Sequence, residues 1–119
     1  MTDETIDPEV PEVDTETFEA AWRRGGAVLD VRNPDEYVEK HVPGAVLVPL
    51  PVLAERLADV PEGRPLYVVC ARGGRSMQAA KAMKGQLGWD VVNVAGGTEA
   101  WAAEGRPLAT GEDAGDAPA

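Results

Sequence analysis

The sequence predicts an α/β fold with a mainly parallel central sheet flanked by helices. Two observations carry this prediction. Short apolar runs of strand length alternate along the chain with stretches of helical pattern. The separations between the runs suit crossover connections, which parallel strands require. At 119 residues the chain fits one domain that is large enough to bury a core.

The elements follow from local signals. Asp14 is a suitable N-cap for a helix that ends at Gly25, and Phe18 and Trp22 form an apolar stripe along it. Asn33-Pro34 opens a second helical turn. We expect strands at residues 27–31, 45–48, 66–69 and 90–94, and further helices at residues 50–60, 76–85 and 98–103.

Charge divides the chain into three parts. The net charge is −10, but residues 1–19 and 111–119 carry acidic residues and no Lys or Arg. We expect an acidic, disordered N-terminal segment over 1–12, a folded domain over 13–107 and a flexible acidic tail over 108–119. The acidic ends argue against nucleic acid and membrane as partners, while the nearly neutral middle leaves an anionic small molecule open.

Cys70 is the only cysteine, so an internal disulfide and a multi-cysteine metal site are excluded. The N-terminus has no apolar segment like that of a signal peptide, and no apolar run approaches membrane-spanning length. A lone thiol stays reduced in a reducing compartment. We therefore expect a cytoplasmic protein.

The stretch over residues 66–76 carries the clearest chemical signal. The predicted strand ends at Cys70, and Arg72, Gly73, Gly74 and Arg75 follow directly. A ligand in a parallel sheet sits at the carboxyl ends of the strands, where Cys70 is placed. Nearby guanidinium groups, a helix N-terminus and inward-facing N–H groups all favour a thiolate. A lone cysteine after a strand is more often a buried apolar residue, but that role requires neither the glycines nor the arginines.

Four short motifs resemble single-domain rhodaneses, the sulfurtransferase family. They cover about residues 13–107 in the family's order: Leu29-Asp30-Val31-Arg32 with Glu36-Tyr37, His41-Val42-Pro43-Gly44-Ala45, the loop Cys70-Ala71-Arg72-Gly73-Gly74-Arg75-Ser76, and Gly96-Gly97-Thr98-Glu99-Ala100-Trp101. The resemblance implies a rhodanese-like three-layer fold. It also implies that Cys70 takes a sulfane sulfur from a donor such as thiosulfate and passes it, as a persulfide, to a thiophilic acceptor. That acceptor would be cyanide in vitro and a thiol or a protein in the cell. No metal or organic cofactor is implied.

The remaining loop residues are candidates for substrate binding and for a persulfide cradle: Ala71, Arg72, Gly73, Gly74, Arg75 and Ser76. Planar guanidinium groups suit the sulfonate end of a donor. Asp30 and Arg32 are candidate supporting residues, and we expect Asp30 to pair with Arg32 or Arg75. His41 lies in a Pro-Gly turn, which favours a packing role over a Cys/His dyad.

Two other functions are open at this stage. A rhodanese-like binding or regulatory module would use the fold for protein contacts, although such a module has no need for Cys70, Arg72 and Arg75 together. A phosphatase or arsenate reductase is disfavoured, because the related signature is C-x5-R and the spacing from Cys70 to Arg75 is C-x4-R. Since there is no second cysteine, the sulfur acceptor is external. A monomer and a dimer are both compatible with a domain of this size.

Overall fold

A computed structural model describes residues 9–116. Its centre is a five-stranded parallel sheet with the order β1-β5-β4-β2-β3. The strands are β1 (Glu12–Val13), β2 (Ala27–Asp30), β3 (Val46–Leu47), β4 (Leu66–Val69) and β5 (Val91–Val94). The central strands β5, β4 and β2 are set in register, which brings their carboxyl ends to one edge of the sheet.

Within the described residues, four α-helices cover the two faces of the sheet: α1 (Thr15–Arg23), α2 (Pro34–Glu39), α3 (Gly74–Leu87) and α4 (Gly97–Ala103). Helix α3 packs through Ala80 and Met83 in the cluster that contains Leu29 and Val68. The aromatic residues of α1 and α4 join the cluster on the other side of the sheet. Because alternate residues of each strand point to opposite faces, the fully buried strands require apolar partners on both sides. The predicted α/β fold is confirmed.

Helix α1 has the N-cap and the buried apolar stripe that its sequence predicts. The Asp14 carboxylate accepts a hydrogen bond from the Thr17 N–H at 2.8 Å, which satisfies a donor that has no partner within the helix. Phe18 and Trp22 are buried on the sheet side, and Trp22 Nε1 donates to the Pro43 carbonyl at 2.8 Å. The predicted stripe is therefore the face that attaches α1 to the core.

The helix predicted over residues 50–60 is wrong in type. The segment forms two short 3₁₀ helices instead, Leu50–Glu55 and Leu57–Asp59. Leu53 is the only buried residue of these two short helices, so tertiary packing does little to enforce an α-helix here.

Both ends of the described chain are attached to the domain. Residues 1–8 of the segment expected to be disordered lie outside the described residues, whereas Glu12 begins β1 and pairs with Asn93 of β5. This edge strand has only two residues and no strand signal of its own.

The tail expected to be flexible over 108–119 is hydrogen-bonded to the domain as far as it is described. His41 and Ala109 exchange backbone hydrogen bonds at 2.9 and 2.8 Å. The buried His41 ring lies against Tyr37, and its Nε2 is 3.0 Å from the carbonyl oxygens of Asp113 and Ala114. His41 thus has the packing role that its turn predicts, and it anchors the tail.

Candidate active site

Cys70 follows the last residue of β4 and lies below the N-terminus of α3. Its side chain is almost wholly buried. The Gly73 N–H donates to Cys70 Sγ at 3.0 Å, and Ser76 Oγ lies 3.3 Å from the same sulfur. The sequence-predicted strand, loop and helix therefore converge on the thiol, and α3 begins two residues earlier than predicted.

The loop needs glycine at one position for conformational reasons. Gly73 has φ = +113°, a backbone angle that side-chain-bearing residues rarely adopt. This conformation turns the Gly73 N–H toward Sγ and starts α3 at Gly74. The first-turn N–H groups of α3 have no intrahelical partners, so they form an electropositive end beside the sulfur.

The Gly96-Gly97 turn holds the cysteine loop from the other side. The Thr98 N–H donates to the Cys70 carbonyl at 2.8 Å, and the Glu99 N–H donates to the Ala71 carbonyl at 3.0 Å. A Cβ at Gly97 would lie 2.6 Å from the Ala71 oxygen and would also collide with the Cys70 oxygen. The N-terminus of α4 therefore fixes the loop carbonyls, and only glycine permits this approach.

The surroundings of Cys70 favour its ionised form. Burial is the largest single influence and raises the pKa of the thiol, because it removes a charge from water. The opposing hydrogen bonds come from the Ser76 hydroxyl and from the backbone N–H groups of Ser76, Gly73 and Arg72. Together they outweigh burial, so the pKa of Cys70 lies below its ordinary value.

The two loop arginines differ in their partners. Arg75 binds the Glu36 carboxylate through two parallel hydrogen bonds of 2.8 and 2.9 Å. This guanidinium is the main reason that the pKa of Glu36 falls to about 2. Arg72 is exposed and has no ion pair with any residue of the 9–116 range. Arg72 is therefore the more available cation beside Cys70.

Asp30 and Arg32 form a buried ion pair at the same edge of the sheet. The Asp30 carboxylate accepts from Arg32 Nε at 3.0 Å and from Nη2 at 2.8 Å. Arg32 Nη2 also donates to the Lys40 carbonyl at 2.7 Å. Asp30 thus pairs with Arg32, one of its two expected partners, and joins β2 to the end of α2.

Comparison with known proteins bears on the identity of this site. The family model of the Rhodanese-like domain matches residues 14–104, which include the cysteine loop and the Gly96-Gly97 turn. The chain belongs to the rhodanese-like family. Its relatives support sulfur transfer as the activity, and the single cysteine fits a catalytic role in that activity.

Three relatives of this rhodanese-like domain illustrate the match. A putative sulfur carrier protein, YrkF, of Bacillus subtilis is 35% identical over 94 residues, which are 77% of this chain and 51% of that protein. This chain therefore spans about half of that relative's length. A thiosulfate sulfurtransferase, GlpE, of Pseudomonas syringae pv. syringae is 32% identical over 93 residues, which are 78% of this chain and 88% of that protein. A crystal structure of a rhodanese-like domain protein from Staphylococcus aureus superposes with a TM-score of 0.75 and 28% identity, and the match covers 87% of this chain and all of that one.

Two residues of the rhodanese-like site were not singled out in the sequence. Glu36 belongs to one of the four motifs, but its sequence position does not predict that it is a partner of Arg75. Its Oε1 also accepts from the Asn33 N–H at 2.9 Å, so one carboxylate caps α2 and holds the cysteine loop. Asn93 is buried and hydrogen-bonded to Ser76. A polar residue inside the otherwise apolar run of β5 was the available signal.

Within residues 9–116, no group of three or more His, Cys, Asp and Glu side chains is placed to hold a metal ion. None of the helices in this range has the length and apolar character of a membrane span.

Proposed function

We propose that this chain takes a sulfane sulfur from thiosulfate or a similar anionic donor onto Cys70 and passes it to a thiophilic acceptor. The observation that carries this proposal is the bonding of Cys70 Sγ, which lies 3.0 Å from the Gly73 nitrogen at the N-terminus of α3. The thiosulfate specificity in the name of the GlpE relative supports the choice of donor.

In the first step, the Cys70 thiolate attacks the outer sulfur of thiosulfate. A bond forms between Sγ and that sulfur, while the sulfur–sulfur bond of thiosulfate breaks and its electron pair leaves with sulfite. The product is a Cys70 persulfide with its negative charge on the terminal sulfur. This is nucleophilic catalysis, which divides one transfer into two easier steps.

In the second step, the acceptor attacks the terminal sulfur. The bond between the two persulfide sulfurs breaks, and its electron pair returns to Cys70 as the thiolate. A low pKa of Cys70 favours this step, because a more stable thiolate is a better leaving group. Since the sequence has no second cysteine, we expect the acceptor to be another molecule: cyanide in vitro, and a small thiol or a protein in the cell.

The cysteine loop supplies groups that suit both the persulfide on Cys70 and the bound anionic donor. The N–H groups at residues 74 and 75 belong to the first turn of α3, where helix donors lack intrahelical partners, and they suit the terminal sulfur of a persulfide. Arg72 suits the sulfonate end of the donor, because its guanidinium is exposed and outside the ion pairs of the described chain. Arg75 contributes positive charge while it remains bound to Glu36.

Ala71 supplies the loop backbone that α4 holds, and Ser76 contacts Sγ directly. The Asp30–Arg32 pair is a supporting element behind the loop. A thiol that has to stay reduced between turnovers suits a reducing compartment, and we infer that the protein acts in the cytoplasm.

The test is the formation of thiocyanate from thiosulfate and cyanide by the purified protein. Wild type is expected to turn over, and Cys70→Ser is expected to be inactive. Arg72→Ala is expected to raise KM for thiosulfate about tenfold or more, because a charge-assisted contact contributes roughly 1.5–3 kcal/mol.

Arg24→Ala is the matched control. Arg24 is also an exposed arginine, but it directly follows α1 and precedes β2. It therefore lies by the amino ends of the strands, whereas Cys70 lies at their carboxyl ends. Its loss should leave KM unchanged. Equal effects of the two substitutions would contradict the binding role of Arg72, and turnover by Cys70→Ser would contradict the proposed reaction.

A further inference from the structure

The α3-facing side of the sheet contains one buried amide among apolar residues. Asn93 lies on β5, and Val91, two residues earlier, points to the same side. The Asn93 side chain is completely buried, and it contacts Glu12 of β1 and Ser76 of α3. It therefore links the edge strand of the sheet to the cysteine site.

The partners of Asn93 fix the orientation of its amide. Nδ2 donates to the Glu12 carboxylate at 2.7 Å and is 3.4 Å from the Gly73 carbonyl. Both of these partners are acceptors only, so the NH₂ group has to face them. Oδ1 consequently faces Ser76 Oγ, at 2.5 Å.

The Ser76 hydroxyl has two neighbours and one hydrogen. Asn93 Oδ1 is an acceptor, so the bond between the two side chains uses the hydrogen of Ser76. In that arrangement, Ser76 Oγ presents a lone pair to Cys70 Sγ at 3.3 Å, which suits an S–H donor. A thiolate, in contrast, requires the same hydrogen for itself.

We propose that Asn93, oriented by Glu12, is a positioning residue for the hydroxyl hydrogen of Ser76. While Sγ is uncharged, Asn93 Oδ1 accepts this hydrogen and keeps it away from Cys70. When the thiolate forms, the hydrogen is donated to Sγ instead. The hydroxyl then turns between Asn93 Oδ1 and Sγ without any change in covalent structure. Asn93 competes with the thiolate for one hydrogen bond, so it opposes ionisation of Cys70, while Ser76 favours it.

The same competition bears on turnover, and this part rests on the proposed function. In a persulfide the inner sulfur, Sγ, is uncharged and the charge lies on the terminal sulfur. Ser76 is then free to return its hydrogen to Asn93. Asn93 therefore stabilises the persulfide relative to the thiolate, which restrains the loss of sulfur to unselected acceptors.

The test is the pKa of Cys70, measured from the pH dependence of its alkylation by iodoacetamide. Cys70 is the only cysteine, so the rate reports this thiol alone. Ser76→Ala is expected to raise the pKa by roughly 1, the value of one charge-assisted hydrogen bond. Asn93→Val is expected to lower it by a similar or smaller amount. The double variant should have the pKa of Ser76→Ala, because Asn93 acts through the hydroxyl.

An Asn93→Val pKa equal to or above that of wild type would overturn the proposal, and so would a double variant that differs from Ser76→Ala. Val91→Ala is the matched control on the same strand, since it removes a buried side chain without touching the hydroxyl. It should reduce the free energy of unfolding and leave the pKa of Cys70 unchanged. A change of pKa in Val91→Ala as large as that in Asn93→Val would also overturn the proposal.

A second pair of variants removes any dependence on the folding of Asn93→Val. Glu12 is exposed on the edge strand, so both Glu12→Gln and Glu12→Ala are expected to fold. Each removes the negative charge, but only Glu12→Ala removes the acceptor for Asn93 Nδ2. The charged groups around the cysteine loop are unchanged in both: Arg72 in the loop, Arg75 on α3, and Asp30 of β2 with its partner Arg32.

The pKa of Cys70 is expected to be lower in Glu12→Ala than in Glu12→Gln. Equal values in the two variants would overturn the proposal. Alkylation requires no sulfur donor, so these results are independent of whether thiosulfate is the substrate. Failure of the proposal would leave the thiocyanate test of the proposed function as it stands.

Discussion

Replacement of Gly97 by alanine tests how the Gly96-Gly97 turn supports the cysteine loop. Gly97 is buried at the start of α4, and its φ is +58°. A Cβ there would meet the carbonyl oxygens of Cys70 and Ala71. These are the two carbonyls that accept from the Thr98 and Glu99 N–H groups, so relief of the collision has to move the loop or break those hydrogen bonds.

The expected loss of stability in Gly97→Ala has three contributions. The left-handed backbone of Gly97 costs roughly 1–2 kcal/mol for an L-residue, partly offset by the lower entropy of the unfolded alanine chain. Insertion of a methyl group into a packed region costs roughly 1–3 kcal/mol. Loss of one loop hydrogen bond adds about 1 kcal/mol. We expect Gly97→Ala to lower the free energy of unfolding by about 4 kcal/mol in total.

Gly88→Ala isolates the effect of the collision. Gly88 ends α3 with φ = +69°, and nothing lies within 4 Å of a Cβ built there. It carries the same backbone cost as Gly97 without the contact. In urea unfolding we expect Gly88→Ala to lose about 1 kcal/mol. We also expect its alkylation rate at Cys70 to be that of wild type, whereas the rate in folded Gly97→Ala changes because the loop has moved.

The comparison between the two variants decides the outcome. Equal free energies of unfolding in Gly97→Ala and Gly88→Ala, together with equal alkylation rates, would refute the claim that α4 holds the cysteine loop by direct contact. A large loss of stability with no change at Cys70 would show that the turn supports the core and not the loop.

Three further predictions concern single contacts. The pKa of Glu36 is about 2 in the folded chain against an ordinary value of 4.5. The stability that the ionised Glu36 contributes is therefore fully present above about pH 4.5 and is lost as pH falls toward 2. Glu36→Gln, which weakens the pair with Arg75, should lose less stability over that range in acid titrations of unfolding. Thr98 Oγ1 is buried without a hydrogen-bond partner in the described residues, so Thr98→Val should raise the free energy of unfolding by about 1 kcal/mol in urea, and a loss would contradict this account. Trp22→Phe removes the hydrogen bond to the Pro43 carbonyl and should cost about 1–3 kcal/mol in the same measurement, and an unchanged midpoint would contradict that role.

Most of the fold could be predicted because its signals are local. The run 66–69 is apolar and short enough to be a buried strand, and Asp14 and Gly25 mark the ends of a helix by their side-chain and backbone chemistry. The two-residue strand Glu12–Val13 could not be predicted, because it exists only through pairing with β5. The 3₁₀ conformation after β3 accompanies weak tertiary packing, which a periodic pattern does not show.

Part of the candidate site could likewise be predicted from the sequence, and part could not. The loop residues next to Cys70 could be predicted from their types and spacing. The contacts that join distant parts of the chain could not be predicted, because they depend on the three-dimensional arrangement. Glu36 meets Arg75 across 39 positions, and Asn93 meets Glu12 across 81. The sequence identifies the candidate nucleophile and its loop, and the structure adds the residues that orient them.

The most direct measurement is the intact mass of the protein after incubation with thiosulfate and removal of the excess. We expect wild type to gain the mass of one sulfur atom, to lose it on addition of cyanide or a small thiol, and to show no such gain as Cys70→Ser. Wild type that remains at its original mass, or Cys70→Ser that gains the same sulfur, would contradict the claim that Cys70 carries the transferred sulfur.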